Sequence, residues 1–261
     1  MLGAIAGDVI GSVFEGWGMK SKEFPLLSPE NFYTDDTVLT VAVASAILDQ
    51  GDYADSIRKF GRRHPGRGYG GNFYRWLEDD SLGPYNSWGN GSAMRVSPVG
   101  WAFDSVEEVL FEAKRSADVT HNHPEGVRGA QAVALSVYLA RRGAKKFEIC
   151  QEITARFGYD LTRTADEIRS AYSFDVSCQG SVPESIICFL DSDDFESSVR
   201  LAISLGGDAD TMACIAGGIS EAYYGGVPES VELSVRELLA SDLLEVVDRF
   251  CARYCPHANQ I

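Results

Sequence analysis

The sequence predicts an all-α protein. Apolar residues recur at helical spacing through most of the chain, and no alternation of apolar and polar residues runs long enough to make a sheet. Capping boxes at Ser105 with Glu108 and at Thr164 with Glu167 mark two helix starts directly, because a hydroxyl and a carboxylate three residues apart satisfy each other's backbone amides. In chain order, helices are read at 2–14, a small-residue apolar stretch, at 37–49, rich in Val, Ala and Leu, and at 53–62. The span 92–102 follows a glycine-rich loop, and a helix opens at Ser105. The spans 125–141 and 146–157 carry apolar residues three and four apart, and Thr164 opens another helix. Short helices follow at 184–190, 195–204, 211–224, 230–239 and 242–254. No Pro/Ser linker, low-complexity tract or fixed repeat divides them, so 1–261 is read as one domain.

With 261 residues, 45% of them hydrophobic, the chain can bury a sizeable core. Its formal net charge of −15 argues against broad contact with a nucleic-acid backbone, which draws on excess Lys and Arg. The six cysteines (150, 178, 188, 214, 251 and 255) form no C-x-x-C pair and sit mostly in apolar helical text, as reduced core thiols do. The apolar N-terminus lacks a basic n-region and is interrupted by Asp8, so neither a signal peptide nor a membrane span is expected, and a cytoplasmic location follows.

Irregular stretches are where sites are usually built. Residues 61–71 combine Arg62, Arg63, His64 and Arg67 with a high glycine density, and the arginines are read as a solvated basic loop. Residues 83–92, ending in Ser87-Trp88-Gly89-Asn90-Gly91-Ser92, lead into a helix and can present backbone amides to a phosphate, although taken alone their Gly-Pro and Asn-Gly pairs read as a plain surface turn. Thr120-His121-Asn122-His123 invites a zinc reading, but nothing nearby supplies the remaining nitrogen or sulfur ligands. His121 is left to hydrogen-bond a ligand hydroxyl or phosphate, or to cap a loop. His64 and His257 have no visible partner.

Two acidic segments carry the chemistry. Thr34-Asp35-Asp36-Thr37 and Gly206-Gly207-Asp208-Ala209-Asp210-Thr211 each set carboxylates and hydroxyls at the mouth of an apolar helix. Either alone is an ordinary helix cap. Together they suggest one site for hard divalent cations, since four carboxylates brought together without a cation repel. If the helices that begin near Thr37 and Thr211 lie side by side, their first turns face one pocket; Ala42, Ala44 and Ala46 of one and Ala213, Ala216, Gly217 and Gly218 of the other permit such close packing, as they would permit ordinary crossing of any helix. Glu15 offers a third carboxylate, to complete the site or to act as acid or base.

In combination, Gly3–Gly11 through Glu15, Thr34–Thr37, Gly89-Asn90-Gly91-Ser92-Ala93-Met94-Arg95, Thr120-His121 and Gly206–Thr211 resemble the ADP-ribosylglycohydrolase family over nearly the whole chain. The resemblance implies a compact orthogonal helix bundle with two Mg2+ or Mn2+ ions at the base of a cleft. It implies Thr34, Asp35, Asp36, Asp208, Asp210 and Thr211 as metal ligands. It also implies a diphosphate cradle at Ser87, Trp88, Gly89, Asn90 and Gly91, with Trp88 placed to stack on adenine and His121 in contact with ADP-ribose. The reaction implied is hydrolysis at C1″ of ADP-ribose on a modified target, with ADP-ribosylarginine favoured over ADP-ribosylserine and other linkages. A non-catalytic ADP-ribose-binding homologue is the alternative. Asp36 is assigned to water activation and Glu15 to acid/base work, roles that can be exchanged, with Asp35 beside them.

Overall fold

A computed structural model describes residues 1–255, all of whose regular elements are helices; His257 lies outside the described residues. The one pairing of extended backbone among them is an isolated antiparallel bridge between Gly89 and Ser177. Buried apolar side chains from Met1 to Cys255 form a single cluster. No helix of the described residues is long and apolar enough to cross a membrane.

The first helix, α1 (Leu2–Gly11), is shorter than expected because the Ser12 hydroxyl turns back onto the Val9 carbonyl and Gly16 takes a left-handed conformation (φ 73°). α2 (Asp35–Asp49) starts at Asp35, with Thr34 as N-cap, and α3 (Tyr53–Arg63) is capped by Asp52. α4 (Gly71–Glu78) is not among the expected helices, since glycine opens it; its buried Phe73, Trp76 and Leu77 fall on one face. The expected 92–102 helix is two short ones, α5 (Gly91–Met94) and α6 (Ser97–Ala102), because Pro98 has no amide to continue the ladder.

α7 (Val106–Asp118) and α10 (Ala165–Arg169) begin after the predicted caps Ser105 and Thr164. Between them lie α8 (Pro124–Arg141) and α9 (Lys146–Phe157). α11 (Cys178–Leu190) begins well before 184, with Pro183 inside it. The other ends differ from expectation by a residue or two at most: α12 (Phe195–Ser204), α13 (Ala209–Tyr224), α14 (Glu229–Leu238) and α15 (Ser241–Tyr254). All six cysteines are free; Cys150 and Cys251 are only partly buried, the rest fully.

The principal partner of α13 is α1, not the α2 that the alanine pattern permitted. Gly3, Gly7 and Gly11 form a stripe one helical turn apart, and a methyl group on Gly7 would stand 2.0 Å from the Ala213 carbonyl oxygen. The same stripe sets Gly3 against the Gly217 backbone and Gly11 against Asp210. α2 instead packs mainly on α3 and α15. The acidic N-termini of α2 and α13 still converge, both against the C-terminal half of α1.

Candidate active site

One cleft of about 580 Å3 lies at that convergence, a size suited to a small-molecule ligand. It gathers Glu15, Thr34, Asp35 and Asp36 from the first part of the chain, Ser87, Gly89, Asn90, Gly91 and His121 from the middle, and Asp208, Asp210 and Thr211. The Thr211 hydroxyl donates to Asp36 Oδ2 at 3.2 Å, joining the two acidic segments directly. Asn90 Nδ2 donates to Asp208 Oδ2 at 2.7 Å, which ties the glycine-rich loop to the second segment.

Trp88 departs from the rest: its side chain is 48% exposed and is not part of the cleft wall, while its carbonyl accepts from the Cys178 amide. The aromatic surface lining the cleft comes from Phe32, Phe73 and Tyr85. The amides of Ser87, Gly89 and Asn90 are engaged by Thr120 O, Ser87 Oγ and Val176 O, so the loop presents fewer free donors than its glycine content suggests. Arg67 is no solvated loop residue. Its guanidinium lies 3.8 Å over the Tyr33 ring and lines the cleft, and its carbonyl accepts from the Asp35 amide at 2.8 Å. His64 does have partners, Asp242 at 3.2 Å and the Tyr33 hydroxyl at 3.4 Å. His123 caps α8 through Nδ1.

The residue that sequence reasoning missed is Asp8. It is fully buried, and its carboxylate accepts from the Thr34 amide (3.0 Å) and hydroxyl (2.7 Å), the Thr37 amide (3.1 Å) and the Thr37 hydroxyl. A carboxylate on α1 thus caps α2 across the core, where the positive end of the helix dipole favours an anion. The signal was present in the sequence as a lone acid inside an apolar, glycine-spaced helix.

The profile of the ADP-ribosylglycohydrolase family matches residues 1–259. The chain belongs to that family. It is 28% identical to mouse ADP-ribosylhydrolase ARH3 over 94% of this chain and 88% of that one. The ADP-ribosylarginine hydrolase Tri1 of Pseudomonas putida is 26% identical over 86% of this chain and 69% of its own length. A solved structure described as an ADP-ribosylglycohydrolase-related protein complex superposes with a TM-score of 0.69 at 25% identity, covering 95% of both chains. As a member of the ADP-ribosylglycohydrolase family, this chain is a hydrolase.

The electrostatics of the acidic cleft are severe. Carboxylate oxygens of Asp8, Asp36 and Asp210 lie within 4.8 Å of one another, as do those of Glu15, Asp208 and Asp210. Burial pushes the Asp36 and Asp210 carboxyls well above the usual carboxylate range, and neighbouring carboxylates push the same way. Asp35 is pushed up to about 8, chiefly by burial and then by Asp8. Burial likewise raises Asp8, Asp208 and Glu15, although four donated hydrogen bonds oppose the rise at Asp8. Asp36 Oδ1 is buried with no hydrogen-bond partner. An all-oxygen donor set, crowded negative charge and an orphaned carboxylate oxygen fit a hard divalent cation. Asp8 fits a cap better than a ligand, because its oxygens are already engaged. Asp36, Asp208, Asp210 and Glu15 have capacity to spare.

Proposed function

We propose that this chain hydrolyses the C1″ glycosidic bond of ADP-ribose carried on a modified target, with ADP-ribosylarginine as the preferred substrate and two divalent cations, Mg2+ or Mn2+, as cofactors. The observation that carries this reading is the meeting of Asp36 with Thr211, at 3.2 Å, across 175 residues of sequence, with Asp36 Oδ1 left open. Thr34, Asp35, Asp36, Asp208, Asp210 and Thr211 would hold the ions. When bound, the ions supply Lewis acidity that orients ribose hydroxyls and acidifies water.

The protein's own groups do the rest. Glycosidic cleavage develops positive charge on the sugar, and the carboxylates around the cleft suit that charge. Water adds its oxygen to C1″ and loses a proton to a carboxylate, for which Asp36 is the assignment; the C1″ bond to the leaving group breaks and the leaving atom takes up a proton. Glu15, exposed at the cleft mouth with a raised carboxyl, is the assignment for handling that second proton. Glu15 also offers the mouth a carboxylate that suits a guanidinium. The name of the Pseudomonas putida relative supports the same choice of arginine. Gly89, Asn90, Gly91 and His121 are assigned to the nucleotide.

The decisive experiment is release of ADP-ribose from arginine-, serine- and base-linked substrates with Mg2+ and with Mn2+. Arginine-linked release is expected. Release from serine alone would overturn the choice of leaving group, and tight ADP-ribose binding without any release would support the non-catalytic alternative. Asp36→Asn should lower turnover by about a thousandfold and weaken metal binding. Full activity in that variant, or in Asp35→Asn, Asp208→Asn or Asp210→Asn, would rule out the shared-cation site.

A further inference from the structure

The cleft holds one buried cation that the reading above does not use. Arg95 is fully buried, and its Nε and Nη1 find no hydrogen-bond partner. Its Nη2 donates to the Ser116 carbonyl at 2.8 Å and to the Thr120 hydroxyl at 3.1 Å. That hydroxyl oxygen lies 2.7 Å from His121 Nδ1. On the far side of the imidazole, Nε2 faces the glycine-rich loop: a methyl group on Gly91 would stand 3.1 Å from it and one on Gly89 3.6 Å.

A guanidinium can only donate, so its contact consumes a lone pair of Thr120 Oγ1. The positive charge also turns the hydroxyl dipole, oxygen toward Arg95 and hydrogen away from it, toward Nδ1. An Nδ1 that accepts this hydrogen cannot carry its own, so the imidazole proton must sit on Nε2. We propose that Arg95 acts through Thr120 as a positioning device that keeps His121 neutral, with its proton on Nε2 directed at the Gly89–Gly91 loop. Burial, with Arg95 contributing, holds the imidazolium form far down, which agrees with a neutral ring. The consequence is a fixed neutral donor toward ligand oxygen, backed by a buried positive charge of the sign an anionic diphosphate needs.

The ligand half of this inference rests on the proposed ADP-ribose site; the tautomer half does not, and is read on the free protein. Two-bond 1H–15N NMR of the full chain labelled at histidine reports which ring nitrogen carries the proton, with His121→Gln identifying the signal. His121 is expected to be protonated at Nε2, with an Nδ1 resonance displaced by hydrogen bonding. Thr120→Val should move that Nδ1 resonance and weaken ADP-ribose binding by about tenfold or more, the loss expected of one hydrogen bond to a charged group. Thr120→Ser, which keeps the hydroxyl, should restore both. Thr120→Ala serves if the valine variant does not fold. Tyr85→Phe, which removes the phenol that competes for the Thr120 hydroxyl, should leave the Nε2 tautomer in place. A proton on Nδ1 in the parent protein, or the same Nδ1 resonance with and without the Thr120 hydroxyl, would overturn the proposal. An intact tautomer relay with no ADP-ribose binding would instead refute the assigned ligand.

Discussion

Asp8 shows how one side chain can determine whether a site exists. Its carboxylate takes hydrogen bonds from both hydroxyls and both amides that bracket Asp35 and Asp36, so the orientation of the first acidic turn is imposed from another helix. Asp8→Ala removes those acceptors and leaves buried donors unpaired, which should cost about 2–4 kcal/mol of stability. Urea unfolding measures the loss, and turnover should fall with it even though Asp8 is not assigned as a metal ligand. Unchanged stability would mean that the hydroxyls cap α2 unaided. The two acidic segments were legible in the sequence because each is a local pattern. Asp8 was read only as an interruption of an apolar stretch, since its partners lie 26 and 29 residues away. Trp88 was legible as an aromatic beside a glycine-rich loop, but not the direction of its side chain, which depends on tertiary contacts.

Among the elements, the helices were the most readable part of the chain, because periodicity and caps are local. Errors fell where local signals mislead: α4 opens on glycine, α11 continues through Pro183, and α5 and α6 are broken by Pro98. Pairing of elements was less legible. Small residues on α13 said correctly that something approaches closely, but α1 and α2 both offered small residues, and composition does not choose between them. The glycine spacing on α1 decides it, since Gly7 meets backbone at a separation no side chain could share. Gly7→Ala should therefore destabilise the protein by about 3 kcal/mol, lowering Tm by roughly 6–12 °C for a chain of this size. Calorimetry tests it. A control at Gly51, where an added methyl group meets nothing within 4 Å and the backbone is not left-handed, removes any general effect of glycine replacement from the comparison.

For the molecule as a whole, the acidic cleft makes stability depend on pH and on cations. Asp35, Asp36, Asp208 and Asp210 all bind their protons more tightly folded than unfolded. Stability of the metal-free protein should therefore be fully present below about pH 4 as far as these groups decide it, and fall as pH rises toward about 8, the value for Asp35. Exposed carboxylates such as Asp79 and Asp80 shift the other way, but at the surface they are screened and weigh little. Thermal unfolding in chelator at pH 5 and pH 8 should show the lower Tm at pH 8, and saturating Mg2+ or Mn2+ should raise the pH 8 value selectively. Asp36→Asn should flatten the pH dependence. A chelated protein whose Tm rises from pH 5 to pH 8 would contradict a buried carboxylate cluster without cations.

The glycine stripe on α1 also bears on how the chain comes to fold. α1 is synthesised before α13, and the surface it must meet, from Ala209 to Gly217, follows about 200 residues later. Closing so long a loop is slow compared with forming the helices between. The crowding of Asp8, Asp36 and Asp210 is thus deferred to one of the last events, when the rest of the scaffold is already in place to hold the charges together. A nascent chain stopped before Ala209 should bind no divalent cation at this site and remain accessible to protease at α1, whereas release of the remaining residues should protect α1 and create the cation site in the same step.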